Sequence, residues 1–137
     1  MLEDRFRKPN FLSLAEREKI VEKIKDYLSQ KEKIVFASLY GSFVRDEPFR
    51  DIDIALLIKE PIQDCLGLES DLSYEMTSVT GYPAEVRIIN KAPVALQMAV
   101  LRERKLLFSR DEEKRTDFIQ DVGKRYIDYS HLREMAM

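Results

Sequence analysis

An α/β domain, with helices covering a small mixed sheet of about four strands, is the fold this sequence predicts. Two patterns carry the expectation: apolar residues recurring at spacings of three and four, and short β-rich runs lying between those segments. Length agrees, because 137 residues suit one domain that buries a sizeable core without disulfides or structural metal. A hydrophobic content of 45% beside 35% charged residues excludes a disordered tail protein.

Residues 1–12 read as a polar lead-in and 13–137 as the single domain. Ser13 followed by Glu16 forms a capping-box pattern. Ile20, Val21, Ile24 and Leu28 then repeat at helical spacing and predict a helix over 14–30. Ile34 to Tyr40 is apolar and β-rich, the pattern of a buried strand, and Gly41-Ser42 ends it with a turn into a helix start. A second strand is expected over 51–58. Cys65, Leu68, Leu72, Met76 and Val79 predict an amphipathic helix over 62–80, with Cys65 as inert core and Glu69 beside the stripe. Gly81-Tyr82-Pro83 breaks that helix, and Ala84–Ile89 follows as a third strand. Pro93 suits the first turn of a helix ending near Arg104. Lys105–Ser109 is a weak strand, and Phe118, Val122 and Tyr126 define a last helix over 112–129.

Lys and Arg total 23 against 25 for Asp and Glu, a net charge of −2, which argues against broad nucleic-acid binding. With one cysteine and one histidine, the chain lacks the parts for a disulfide framework, a zinc cluster or a Ser–His–Asp mechanism. His131 is expected at the surface, and Tyr126 and Tyr129 as packing residues with wet hydroxyls. No stretch approaches the roughly 18–20 apolar residues of a membrane span. The opening MLEDRFRKPN is charged rather than signal-like. A cytoplasmic protein with no membrane partner is expected.

The chemistry concentrates between Gly41 and Asp53. Strand alternation puts Asp51 and Asp53 on one face at the strand's entrance, with Ile52 and Ile54 turned into the core. Two carboxylates roughly 4 Å apart repel by about 4 kcal/mol at an effective dielectric of roughly 20. Such a pair takes up a proton or a cation, and magnesium, which prefers carboxylate and phosphate oxygens, is the natural occupant. An acidic pair alone is as readily a solvated strand start. Beside a Gly-Ser turn whose backbone amides suit a phosphate, it becomes equipment for phosphoryl or nucleotidyl transfer. Glu85 is the candidate third carboxylate; on the other reading it merely pairs with Arg87, two residues on along the same face. Arg45 and Arg50 either contact phosphates or are solvated.

Leu39-Tyr40-Gly41-Ser42-Phe43-Val44-Arg45 followed by Asp51-Ile52-Asp53-Ile54-Ala55-Leu56-Leu57 resembles the minimal nucleotidyltransferases of the DNA polymerase β superfamily. The likeness extends to Glu85-Val86, Asn90-Lys91-Ala92-Pro93 and the Arg102 to Phe108 stretch, covering roughly residues 34–130. It implies the nucleotidyltransferase fold, with Gly41, Ser42 and Arg45 toward ATP. Asp51, Asp53 and Glu85 become the catalytic metal ligands for magnesium, as two ions. Three features depart from the family pattern. The loop from Ser42 to Asp51 is short, with eight residues between them; Asp46 stands where a glycine often follows the arginine; and the third acid is Glu rather than Asp.

The acceptor is read from what the chain lacks. Few residues remain outside the predicted elements to enclose a small molecule, and the charge is poorly suited to gripping nucleic acid. A macromolecular acceptor that brings its own surface fits better. The resemblance implies an antitoxin that transfers AMP to a tyrosine hydroxyl of a HEPN-type toxin; the sequence leaves open a homo- or hetero-oligomer. The alternative is a catalytically weak or inactive nucleotide-binding module that neutralises its partner by direct binding.

Overall fold

The computed structural model describes residue 5 and residues 8–136. Among residues 8–136 the elements follow the predicted order: α1 (Leu14–Ser29), β1 (Ile34–Tyr40), β2 (Ile52–Ile58), α2 (Cys65–Thr80), β3 (Ala84–Ile88), α3 (Val94–Glu103), β4 (Lys105–Ser109) and α4 (Glu112–Ala136). The sheet runs β3-β2-β1-β4. β1 is antiparallel to β2 and to β4, whereas β2 and β3 are parallel, so the sheet is mixed.

β1 and β2 read as continuous apolar runs because both faces of the central strands are covered. On one face Ile52, Ile54, Leu56 and Ile58 pack with Ile20, Ile24 and Leu28 of α1 and with Leu72 and Met76 of α2. On the other, Ala55 and Leu57 pack with Val100 of α3 and Phe118 of α4. Ser13 caps α1 as expected: its hydroxyl oxygen accepts the Glu16 amide at 3.2 Å and donates to the Glu16 carboxylate at 2.9 Å. Part of the predicted lead-in packs on the domain, since Asn10 bridges to Phe49 and Leu12 joins the core. Residues 1–4, 6 and 7 of that lead-in lie outside the described residues.

Four expectations need correction. The helix predicted from 62 starts at Cys65, because Asp64 caps it by accepting the Gly67 amide at 3.0 Å. Cys65 therefore lies in the first turn, beyond the sheet, and is exposed rather than core. The last helix runs on past Tyr129 to Ala136. No helix starts after Gly41-Ser42. Residues 41–46 form turns instead, ended by Asp46 at a φ of +59° and by Pro48, which disfavours helix at Glu47.

The outer edge of β3 is covered by side chains of α2. Thr77 Oγ1 accepts the Ala84 amide at 3.1 Å, Ser73 Oγ the Val86 amide at 2.8 Å, and Glu69 Oε2 the Ile88 amide at 2.7 Å. Residues 69, 73 and 77 share one helix face at i, i+4 and i+8, while amides on one edge of a strand recur every second residue. Thr77→Val removes one acceptor and leaves the shape. We expect it to cost about 1–2 kcal/mol by stranding the Ala84 amide, measured by chemical denaturation.

Candidate active site

Helices α3 and α4 cover the Ala55–Leu57 half of their sheet face, with Tyr40 packed at the margin of that cluster. The other half carries a row drawn from three strands: Tyr40 on β1 lies opposite Asp53 on β2, which lies opposite Glu85 on β3. Asp51 sits in the bend just before β2 and is exposed, so it stands at the strand's entrance as expected. Asp53 is half-buried and Glu85 exposed.

Gly41 closes the approach from above. Its φ is +83°, a left-handed conformation that L side chains rarely adopt. A Cβ on Gly41 would overlap Oδ2 of Asp53, with Cγ only 3.4 Å away. Turn and carboxyl thus approach closely at a position that has no side chain.

The loop after Gly41 folds on itself. The Val44 amide donates to the Gly41 carbonyl at 3.1 Å, and the Arg45 and Glu47 amides to the Ser42 carbonyl at 3.2 and 3.3 Å. Among the described residues no such bond uses the amides of Ser42 and Phe43. Two adjacent free amides beside an acidic strand suit a phosphate oxygen as the predicted helix start would have.

Electrostatics define the row further. The Asp53 carboxyl is pushed up from 3.8 to about 6, first by burial, then by the charges of Glu85 and Asp51. Tyr40 rises to about 12, again through burial and then Asp53, so its phenol stays protonated. The site is short of positive charge. Arg87 supplies some, donating from Nε to Glu85 Oε1 at 2.9 Å, so the pairing reading of Glu85 and Arg87 is realised alongside Glu85's place in the row. Arg45 sits between Glu47 at 3.1 Å and Glu103 at 2.5 Å, while Arg50 is exposed.

The donor set suits a hard divalent cation held by one or two carboxylates plus substrate phosphates. Among the described residues no three His, Cys, Asp or Glu side chains already converge as a cage, because Glu85 leans on Arg87. The Asp46 carboxylate lies 3.3 Å from Arg17 Nε, on the side of the loop that faces α1. Sequence reasoning missed Arg17 and Glu69. Arg17 leaves a signal, since it falls in register with Ile20, Val21, Ile24 and Leu28.

The Gly41 turn thus stands close to the Asp53 carboxylate, on a sheet face that also carries Glu85. The polymerase beta nucleotidyltransferase family matches residues 22–113, and the chain belongs to that family. None of the curated proteins compared with it matches in sequence. Among solved structures, a toxin–antitoxin with AMP-PNP is similar over 85% of this chain and 94% of that one, with a TM-score of 0.73 and 20% identity. A tri-AMPylated HEPN toxin from Shewanella oneidensis in complex with its MNT antitoxin gives a TM-score of 0.66 at 19% identity, over 89% of this chain and 92% of that one. The toxin–antitoxin MntA-HepT gives 0.66 at 18% identity, over 90% and 95%. At these identities the likeness is one of fold. No helix among the described residues is long and apolar enough to cross a membrane.

Proposed function

We propose that this nucleotidyltransferase transfers AMP from ATP to a tyrosine hydroxyl of a HEPN-type toxin and thereby acts as its antitoxin. The observation that carries the reading is the contact between Gly41 and Asp53 in a row shared with Glu85. On this reading the turn takes the triphosphate and the carboxylates beside it take the metal, so the close approach supports placing the two together. The solved neighbours that contain AMP-PNP and an AMPylated HEPN toxin support the choice of nucleotide and partner.

In this reading the Ser42 and Phe43 amides hold the outer phosphates, and Arg45 leaves Glu103 for them. Asp51, Asp53 and Glu85 would hold magnesium, as two ions, which when bound would supply charge neutralisation at the α-phosphate. The acceptor oxygen bonds to the α-phosphorus as the bond to pyrophosphate breaks, and Glu85, released from Arg87, accepts the hydroxyl proton. The open half of the sheet face leaves room for an acceptor that brings its own surface.

Co-expression with the partner toxin tests this directly by intact mass. The expected result is one or more added AMP groups on the toxin, absent when the antitoxin carries Asp53→Asn. The Glu85–Arg87 pair favours the second reading, a binder with its third carboxylate neutralised. A toxin that is bound and inhibited yet unmodified would establish that reading instead.

A further inference from the structure

A guanidinium only 4% exposed lies on α1, behind the loop rather than in the site. Burying such a charge costs several kcal/mol unless its donors are used. Arg17 uses them on backbone: Nε donates to the Leu12 carbonyl at 3.1 Å, Nη1 to Phe43 at 2.6 Å and Nη2 to Glu47 at 2.7 Å. Phe43 and Phe49, at the two ends of the loop, each place a ring 5.2 Å from the guanidinium and stand 4.9 Å from each other, edge to face. Asp46 adds its carboxylate at 3.3 Å, reached from a left-handed backbone that Asp tolerates better than most residues.

We infer that Arg17 is the positioning residue of the nucleotide loop, fixing Gly41–Phe49 from behind so that the Ser42 and Phe43 amides stay free for phosphate. The inference rests on the nucleotide reading of that loop. Two of the three carbonyls belong to the loop and the third to the chain entering α1, so the guanidinium ties loop to helix. A planar fork of donors reaches three carbonyls at once; a lysine ammonium, a point donor on a flexible stem, does not. Within the loop the backbone bonds are the three closed on Gly41 and Ser42, and the Asn10 bridge holds only its far end at Phe49.

The test pairs two measurements on Arg17→Met and Arg17→Lys in the full chain. The first is hydrogen exchange, expected to quicken in 41–49 while Ile20–Leu28 keeps wild-type protection. The second is steady-state transfer with magnesium and ATP, expected to show KM for ATP raised roughly tenfold with kcat within about threefold. A merely structural role would lower the active fraction, and so kcat, without moving KM. Unchanged loop exchange, or a KM within about threefold of wild type in a folded variant, would overturn the assignment. If Arg17→Met fails to fold, Arg17→Lys is judged by the same two measures. Wild-type protein that neither binds ATP nor transfers AMP would sink the nucleotide reading, while loop exchange would still decide whether Arg17 holds the loop.

Discussion

Asp53→Asn is expected to lower AMP transfer roughly a thousandfold or more while the fold survives. Asparagine keeps the shape and one acceptor oxygen but removes the charge that the proposed metal needs. The stability effect has the opposite sign. Asp53 titrates near 6 in the folded protein against 3.8 ordinarily, so the folded state holds this proton more tightly than the unfolded chain does. Below about pH 4 the group is protonated in both states and costs nothing; the cost grows as pH rises and is complete above about 6. The asparagine variant escapes that cost. Its melting temperature without metal should equal or exceed wild type at about pH 7, with the gap closing toward about pH 4. Calorimetry at both pH values, beside transfer assays, reads both effects. A variant that loses activity by unfolding would make Asp53 structural and remove the basis for the site.

Gly41→Ala should be nearly as damaging, for a reason that involves no charge. A left-handed φ costs an L residue roughly 1–2 kcal/mol. The new Cβ would also overlap Oδ2 of Asp53. The carboxyl must swing away, and a misplacement of about 1 Å at a reacting centre can cost roughly a hundredfold in rate. We expect transfer to fall by about that factor and stability by about 1–2 kcal/mol, measured by kinetics and denaturant melts. Activity near wild type would mean that the turn and the carboxyl do not need their close contact. Ser42→Ala supplies the contrast: it keeps the backbone amides and the turn, so it should do far less harm.

How much of this was legible in the sequence differs from one element to the next. β1 and β2 were readable because burial on both faces leaves little room for polar residues in either run. The capping box at Ser13, the break at Gly81 and the acidic pair at Asp51 and Asp53 are local signals, and local signals transfer directly. The loop after Ser42 was misread as a helix start because what shapes it is distant: a guanidinium on α1, and a backbone reversal at Asp46. The positive φ at Asp46 is one that glycine adopts more readily than an acidic residue. Cys65 fits the spacing of its helix yet escapes burial, since periodicity says which face a residue occupies and not how far the covered surface reaches. Glu69, beside an apolar stripe, had no visible partner because the Ile88 amide comes near only once α2 packs along β3. Site geometry follows the same division. The residues of the row were nameable, whereas the lean of Glu85 onto Arg87 and the burial that raises Asp53 depend on the assembled face.

The covering of β3 by Glu69, Ser73 and Thr77 makes the two margins of the sheet unequal. A foreign strand templating on β3 would first have to strip three amides of acceptors they already hold, so that margin is guarded against runaway aggregation without lysines or a bulge. At the β4 margin Lys105 and Leu106 are exposed, and among the described residues no helix side chain accepts a β4 amide. Misassembly by strand addition is thereby polarised, with its point of entry at β4, at the far end of the sheet from Glu85.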